Sequence, residues 1–356
     1  MGNFLVTDLK VIDSPQAGIG VARCLKMLGH KVYGGDDTPF VTSSDIFEKT
    51  FVIEEIRNLN LDSLVKKLIE LKNLYDIEYI IPCYDETTVL FSYVKEKLDF
   101  IGMQLIALNI DSIRKLRKDN LSNVFNWGKL ASPETNLANS FDEAKSFADK
   151  MGYPVIVKGL TKGAFIAKDP LELVSAIRKL CGIWNNNEIK CLIQKYIKGK
   201  FINSLVAYKN KKIVSYLEME KISLDSNGAT WFGRLTIEKQ LLEDITTFLY
   251  NLQLNDSIIE IETILAENGK YYVYEVNYRP PAWIYASALK GQNFLEIFLT
   301  PKPETVFGVE EAYFGRESCD FIKHIGDVSQ YANLQFYSKG AAYKTANQKY
   351  PSELML

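Results

Sequence analysis

The stretch that most constrains this chain runs from Ile258 to Pro281, with apolar and β-branched runs on either side of Asn268-Gly269. That dipeptide between such runs is the strongest short-range signal for a β-hairpin. With Asn268 and Gly269 as the two loop residues, Glu267 pairs with Lys270, Glu262 stands opposite Glu275, and Glu260 stands opposite Asn277. Side chains alternate along a strand, so these four share one face, and Arg279 follows on it. Ile259, Ile261, Leu265, Tyr272, Tyr274 and Val276 form the other face, the one to bury. Like charges directly opposite destabilise a sheet. A divalent cation removes the conflict, since Mg²⁺ sits on one or two carboxylates plus substrate phosphates. From the hairpin alone, a metal–nucleotide site and a solvated acidic stripe stand level.

Composition narrows the alternatives. A chain of 356 residues has room for two or three domains with sizeable cores, and its net charge of −2 offers no basic face for nucleic acid. Cysteines 24, 83, 181, 191 and 319 show no ligand spacing and read as buried residues of a reducing cytosol. The two histidines, His30 and His324, stand in unrelated contexts, which leaves histidine triads and zinc sites poorly supported. With neither a signal peptide nor a membrane-length apolar run, the expected location is cytoplasmic and the expected partners exclude membrane and nucleic acid.

The first 110 residues read as a parallel α/β domain. Phe4–Thr7 is a strand. Apolar residues at 19, 21, 22, 25 and 28 predict a helix stopped by Gly29, and Lys31–Gly34 is the next strand. Gly18-x-Gly20 lacks the third glycine of the dinucleotide fingerprint, which disfavours an oxidoreductase. Leu61–Leu74 reads as an amphipathic helix. Ile77–Pro82 is a strand ending at Asp85 and Glu86, where ligands of open α/β sheets collect; a helix cap is the favoured role for this pair.

Beyond Asp111 the chain turns basic. Ser140–Met151 opens with a capping box, S-F-D-E. Tyr153–Ala167 is a strand pair around a short glycine-bearing loop. Lys158 closes an apolar strand, a costly place for a cation without an anion; a phosphate partner is preferred to a snorkelling edge lysine. A helix over 171–180, a strand over 189–199, a strand pair over 203–221 turning at Asn210 and a helix over 237–252 lead to the hairpin. Helices over 282–289 and 293–299 follow it.

Five segments now form a series. Y-P-V-I-V-K (Tyr153–Lys158), I-Q-K-Y-I-K-G (Ile193–Gly199), I-E-I-E (Ile259–Glu262), Y-E-V-N-Y-R-P-P-A-W (Tyr274–Trp283) and G-Q-N-F (Gly291–Phe294) resemble the ATP-grasp superfamily in type, order and spacing. The nearest flavour is its carboxylate–amine ligases carrying E-x-N-x-R-x-P-A-W. The resemblance implies an α/β fold in which residues 1–110 form a pre-ATP-grasp domain and 111–300 a two-subdomain ATP-grasp unit, its small lid at about 153–196. Residues 301–356 form a C-terminal extension.

It also implies ATP and one or two Mg²⁺ ions as cofactors. Lys118 matches the first phosphate-binding lysine, with Lys115 the alternative register, and Lys158 matches the second. Gln194, Lys195, Tyr196 and Ile197 match the linker whose main chain meets adenine. Lys221 matches a further phosphate contact, and Glu262, Glu275 and Asn277 match the metal ligands. Arg279 would steady the transferred phosphoryl group. Three positions depart from the pattern. The loop Gly159–Gly163 is short for a phosphate flap, Phe201 replaces a ribose-binding glutamate for which Asn203 is the candidate substitute, and Tyr278 replaces a proline.

The implied activity is an ATP-dependent ligase joining a small-molecule or peptide carboxylate to an amine through an acyl-phosphate. Substrate choice is expected around Asp85, the segment 224–236 with Trp231 and Arg234, and the tail. A homodimer is left open. The alternative is a non-catalytic nucleotide-binding or regulatory protein of the same fold, motivated by Phe201 and the short loop.

Overall fold

The computed structural model describes residues 1–9, 11–12, 14–15, 17–38, 46–121, 130–160, 163–184, 188–224, 228, 230–308, 311–316 and 353–355. Cys319, His324, most of the 301–356 extension, residues 161–162 of the short loop and parts of the 224–236 segment lie outside them.

The N-terminal sheet has five parallel strands in the order Lys49–Val52, Lys31–Asp36, Asn3–Thr7, Tyr79–Ile81 and Gln104–Leu105. Its central strand is a continuous apolar run covered on both sides, as parallel strands require. Asn60 caps the helix Leu61–Tyr75 through the Ser63 N–H, and the helix Ala17–Met27 stops before Gly29 at φ +77°. The glycines of the incomplete fingerprint have a packing role instead. A Cβ on Gly18 would lie 2.4 Å from the Thr7 carbonyl, and one on Gly20 3.2 Å from Ile284. They let the first helix approach both its own sheet and the helix Ile284–Leu289.

A second, antiparallel sheet runs Ala164–Ala167, Val155–Lys158, Cys191–Lys195 and Thr135–Ala138, packed against the helices Phe141–Met151 and Pro170–Trp184. The small unit therefore takes an edge strand and a helix from before residue 153, where the sequence reading opened it. The capping box holds, with Ser140 accepting the Glu143 N–H at 3.1 Å and Glu143 accepting the Asn139 N–H at 2.8 Å.

The large sheet has eight strands, including Tyr271–Asn277, Ser257–Ala266, Gly199–Lys209, Lys212–Leu224 and Thr230–Thr236 in that order. The helix Lys239–Leu252 lies on one face, burying Leu241, Ile245 and Phe248 against Val206, Ile259 and Ile261. The other face buries Leu205, Ala207 and Met219 against Ile284, Phe294 and the first helix's Val21 and Leu25. Among the described residues no helix is long and apolar enough to cross a membrane.

The organising hairpin differs from expectation in a way that leaves its pairs intact. Ala266 donates to the Lys270 carbonyl at 3.0 Å and Gly269, at φ +78°, donates back to Ala266 at 2.9 Å. The loop is thus three residues, Glu267 to Gly269, closed by a left-handed glycine rather than a two-residue turn. Thr263 accordingly pairs with Val273 and Leu265 with Tyr271. Tyr274 is then an extra residue, a β-bulge, beyond which Glu262 pairs with Glu275 and Glu260 with Asn277. The correction falls on the tyrosines. Tyr271 and Val273 enter the core beneath the helix, in the places assigned to Tyr272 and Tyr274.

Candidate active site

The site lies on the face of the large sheet away from the helix Lys239–Leu252, below the small sheet and beside the carboxyl edge of the parallel one. Glu262 and Glu275 face each other across the hairpin, and each carries a lysine. Lys221 donates to Glu262 Oε2 at 2.9 Å, and Lys118 lies 2.7 Å from Glu275 Oε1. All four side chains are largely buried, between 7% and 21% exposed.

Burial would raise the Glu262 carboxyl, but Lys221, the Tyr274 hydroxyl and Asn277 outweigh it and hold it near 2. Burial opposes the charge on Lys118 and Lys221, while their carboxylates raise both above the usual lysine range. Lys115, the alternative register, instead donates to the Leu252 carbonyl at 3.2 Å.

Lys158 arrives from the small sheet and is in a different condition. Its ammonium donates to the Tyr274 carbonyl at 3.2 Å and stands 4.7 Å from that tyrosine's ring centre. Only 6% exposed, it is pushed by burial down to about 8, against the pull of Glu275.

Glu260 is the residue that sequence reasoning undervalued. Its oxygens accept from Asn203 Nδ2 at 2.6 Å, Trp283 Nε1 at 2.7 Å, Asn277 Nδ2 at 2.8 Å and Arg279 Nη1 at 3.3 Å. The like-charge argument drew attention to Glu262 and Glu275; the signal for Glu260 was its place on the same face, two residues earlier. Four carboxylates (Asp85, Glu260, Glu262, Glu275) thus meet four cations (Lys118, Lys158, Lys221, Arg279) in one cluster.

Several expectations need correction. Asp85 caps no helix: Tyr84 is the N-cap of Asp85–Tyr93, without a side-chain cap. One Asp85 oxygen accepts the Tyr278 N–H at 2.9 Å and the other lies 4.0 Å from Arg279 Nε, with 32% of the side chain open to solvent. Asn203 is 3% exposed and spends its amide on Glu260, so it lies beneath the carboxylates rather than at a ribose position. Its Oδ1 is buried without a partner. The Gln194 side chain ties two strands together through Thr135 at 2.9 Å, and the Lys195 N–H donates to the Glu134 carbonyl at 2.8 Å. Gln194 pairs with Thr135 and Ile156 and Lys195 with Val155 in the sheet, so Tyr196 and Ile197 are the linker residues outside its ladder. Trp231 is 42% exposed, and Arg234 pairs with Glu220 and Glu311.

The donor chemistry fits a hard divalent cation. Glu262 is ionised, Glu275 faces it, and Asn277 donates amide hydrogens to both Glu260 and Glu262, leaving Oδ1 as its lone-pair atom. Among the described residues no three Cys, His, Asp or Glu side chains form a metal cage. Mg²⁺ bound with a nucleotide does not require one, because phosphates and water complete its octahedron.

No protein-family model matches the sequence. Solved structures do. The biotin carboxylase domain of 2-oxoglutarate carboxylase from Hydrogenobacter thermophilus, crystallised with MgADP, ADP and bicarbonate, is 16% identical over 95% of this chain and 79% of its own, with a TM-score of 0.67. The L-amino acid ligase of Bacillus licheniformis is 14% identical over 93% of this chain and 85% of its own, with a TM-score of 0.68. N5-carboxyaminoimidazole synthetase of Staphylococcus aureus is 14% identical over 88% and 82%, with a TM-score of 0.65. At these identities the likeness speaks to fold. The chain has the ATP-grasp fold, in which a parallel α/β unit precedes two antiparallel sheets.

Proposed function

We propose that the protein is an ATP-dependent ligase that activates a carboxylate as an acyl-phosphate and joins it to an amine. The observation that carries this reading is the arrangement of buried charge: two facing carboxylates, each on a lysine, under a third lysine that has a carbonyl and a ring for company. A polyphosphate with its cation would satisfy all of these groups together.

In this reading Lys118 and Lys158 hold the phosphate chain, and the main chain at Tyr196 and Ile197 meets the adenine edge. Glu262, Glu275 and Asn277 hold Mg²⁺. The metal supplies charge neutralisation on the transferring phosphoryl group. Residues 111–300 carry this nucleotide site, and residues 1–110 offer the substrate edge at Asp85.

A substrate carboxylate oxygen forms a bond to the γ-phosphorus while the bond to ADP breaks. Arg279 and Lys221 face the negative charge spread over the transferring group, so their work is positioning and electrostatics. The amine nitrogen then bonds to the acyl carbon, the bond to phosphate breaks, and an amine proton leaves with phosphate or water. The partners are a small-molecule or peptide carboxylate and an amine. The setting is cytoplasmic, and a homodimer, as in the Hydrogenobacter domain, is compatible with the chain. The neighbours of this fold include an amino acid ligase and a carboxylase holding MgADP, which supports both the reaction class and the cofactor.

One observation favours a second reading, a nucleotide-binding protein without turnover: Phe201 packs edge-on against Tyr274 at 5.8 Å, with no hydroxyl-binding group of its own. Thermal melting with ADP or ATP, with and without Mg²⁺, tests nucleotide binding, since a ligand of the native state raises the melting temperature by mass action. Phosphate release with acid and amine pairs then separates the readings. A Mg²⁺-dependent rise without release for any pair supports the second, and no rise at millimolar nucleotide sinks both.

A further inference from the structure

Tyr274 exists in the site because of the bulge, and it touches charged groups from two sheets. Its hydroxyl donates to Glu262 Oε2, and Lys221 Nζ stands 3.4 Å from the same hydroxyl. Its ring lies under Lys158 and its carbonyl accepts from that lysine. Phe201 closes the ring's edge. No other described side chain bridges Glu262, Lys221 and Lys158 in this way.

From this juxtaposition we infer that Tyr274 is a positioning residue that couples divalent-cation binding to nucleotide binding; the inference rests on the ligase reading above. Glu262 Oε2 holds Lys221, so a cation that takes this carboxylate competes with the lysine for its lone pairs. The nucleotide phosphates are the anions able to receive the displaced ammonium. The Tyr274 hydroxyl donates to Glu262 while offering its oxygen to Lys221. It keeps the carboxylate aimed as the lysine leaves. Hydrogen-bond partners that orient a ligating carboxylate are worth about 10- to 100-fold in metal affinity. The ring and carbonyl act separately from the hydroxyl, as the seat of Lys158.

Calorimetric titration of the full chain with ADP, across a series of Mg²⁺ concentrations, tests this in wild type and Tyr274→Phe. The phenylalanine keeps the ring under Lys158 and the backbone carbonyl, so ADP affinity is expected to fall less without Mg²⁺ than with it. The Mg²⁺ concentration giving half of the metal-dependent tightening is expected to rise about tenfold or more. An unchanged Mg²⁺ midpoint overturns the inference, and so does a matched loss of affinity with and without the metal, which marks general damage. Wild-type protein that binds no ADP overturns the ligase reading and this inference together; wild type that binds, beside an unaltered Tyr274→Phe, overturns the inference alone.

Discussion

The indole N–H of Trp283 donates to Glu260 Oε1 at 2.7 Å, and the opposite oxygen of that carboxylate takes the Asn277 amide at 2.8 Å and the Arg279 guanidinium at 3.3 Å. One buried carboxylate therefore sets the direction of three residues from the Y-E-V-N-Y-R-P-P-A-W segment. Glu260→Ala removes the acceptor of buried N–H groups on Asn203, Trp283 and Asn277 and leaves Arg279 with only the Pro280 carbonyl and the more distant Asp85. Removing one partner of a buried pair typically costs about 3–5 kcal/mol, and urea unfolding should show a loss of that order. A loss below about 1 kcal/mol would mean that water replaces the carboxylate.

Glu275→Gln keeps the shape of the side chain and removes the charge opposite Glu262. The fold should persist, with far-ultraviolet circular dichroism unchanged, while turnover falls by about 100-fold or more, the scale of losing one electrostatic contact to a developing charge. Retained ATP consumption would refute the metal assignment of this pair.

Lys158, pushed down to about 8 by burial, is a charge that its surroundings tolerate poorly. Its folded value lies below the ordinary 10.5, so the unfolded chain binds more protons between those pH values and stability rises with pH across that window. Lys158→Met should raise the melting temperature at pH 7, by the equivalent of about 1–3 kcal/mol, and weaken ADP binding at the same time. Wild-type protein titrated with ADP near pH 8 should take up protons, read from calorimetry in buffers of different ionisation heat. Equal heats in all buffers would count against the phosphate role.

Glu218 lies on the opposite face of the sheet, where burial pushes its carboxyl up to about 8 despite hydrogen bonds from the Tyr216 hydroxyl at 2.6 Å and the Glu238 N–H at 3.0 Å. The folded chain binds the extra proton, so this group's stabilisation is complete below the ordinary value of 4.5 and drains away as the pH climbs to about 8. Glu218→Gln should flatten stability between pH 5 and 8 and leave the variant about 1–3 kcal/mol more stable than wild type at pH 8. Parallel pH profiles in denaturant would show that the group titrates normally.

Much of the site was legible because its residues fall at strand spacing on a single hairpin. Glu260, Glu262, Glu275, Asn277 and Arg279 share a face whichever loop closes the turn, provided that Glu262 meets Glu275. Lys158 was legible from an apolar strand ending in a cation. Tyr274 was not, since strict alternation assigns it to the core, and a bulge is a local choice that apolar patterning does not encode. Asp85 was misread because an acidic residue at a helix start commonly caps it; here the Tyr278 N–H, 193 residues away in the chain, takes the carboxylate instead. Asn203 was misplaced because a family position was carried over to a neighbour two residues along the strand. The small unit begins earlier than expected because its edge strand, Thr135–Ala138, has little apolar character of its own.

Twelve positions separate Glu262 from Glu275. Four cross-strand pairs account for eight of them, the loop for three, and Tyr274 is the remainder. The ladder would close without it: with that position deleted, Val273 would still face Thr263 and Glu275 would still face Glu262. Apart from local twist, the sheet gains nothing from the extra residue. The hairpin thus works as a socket of fixed span with one insertable position, and in this chain the insert is a phenol.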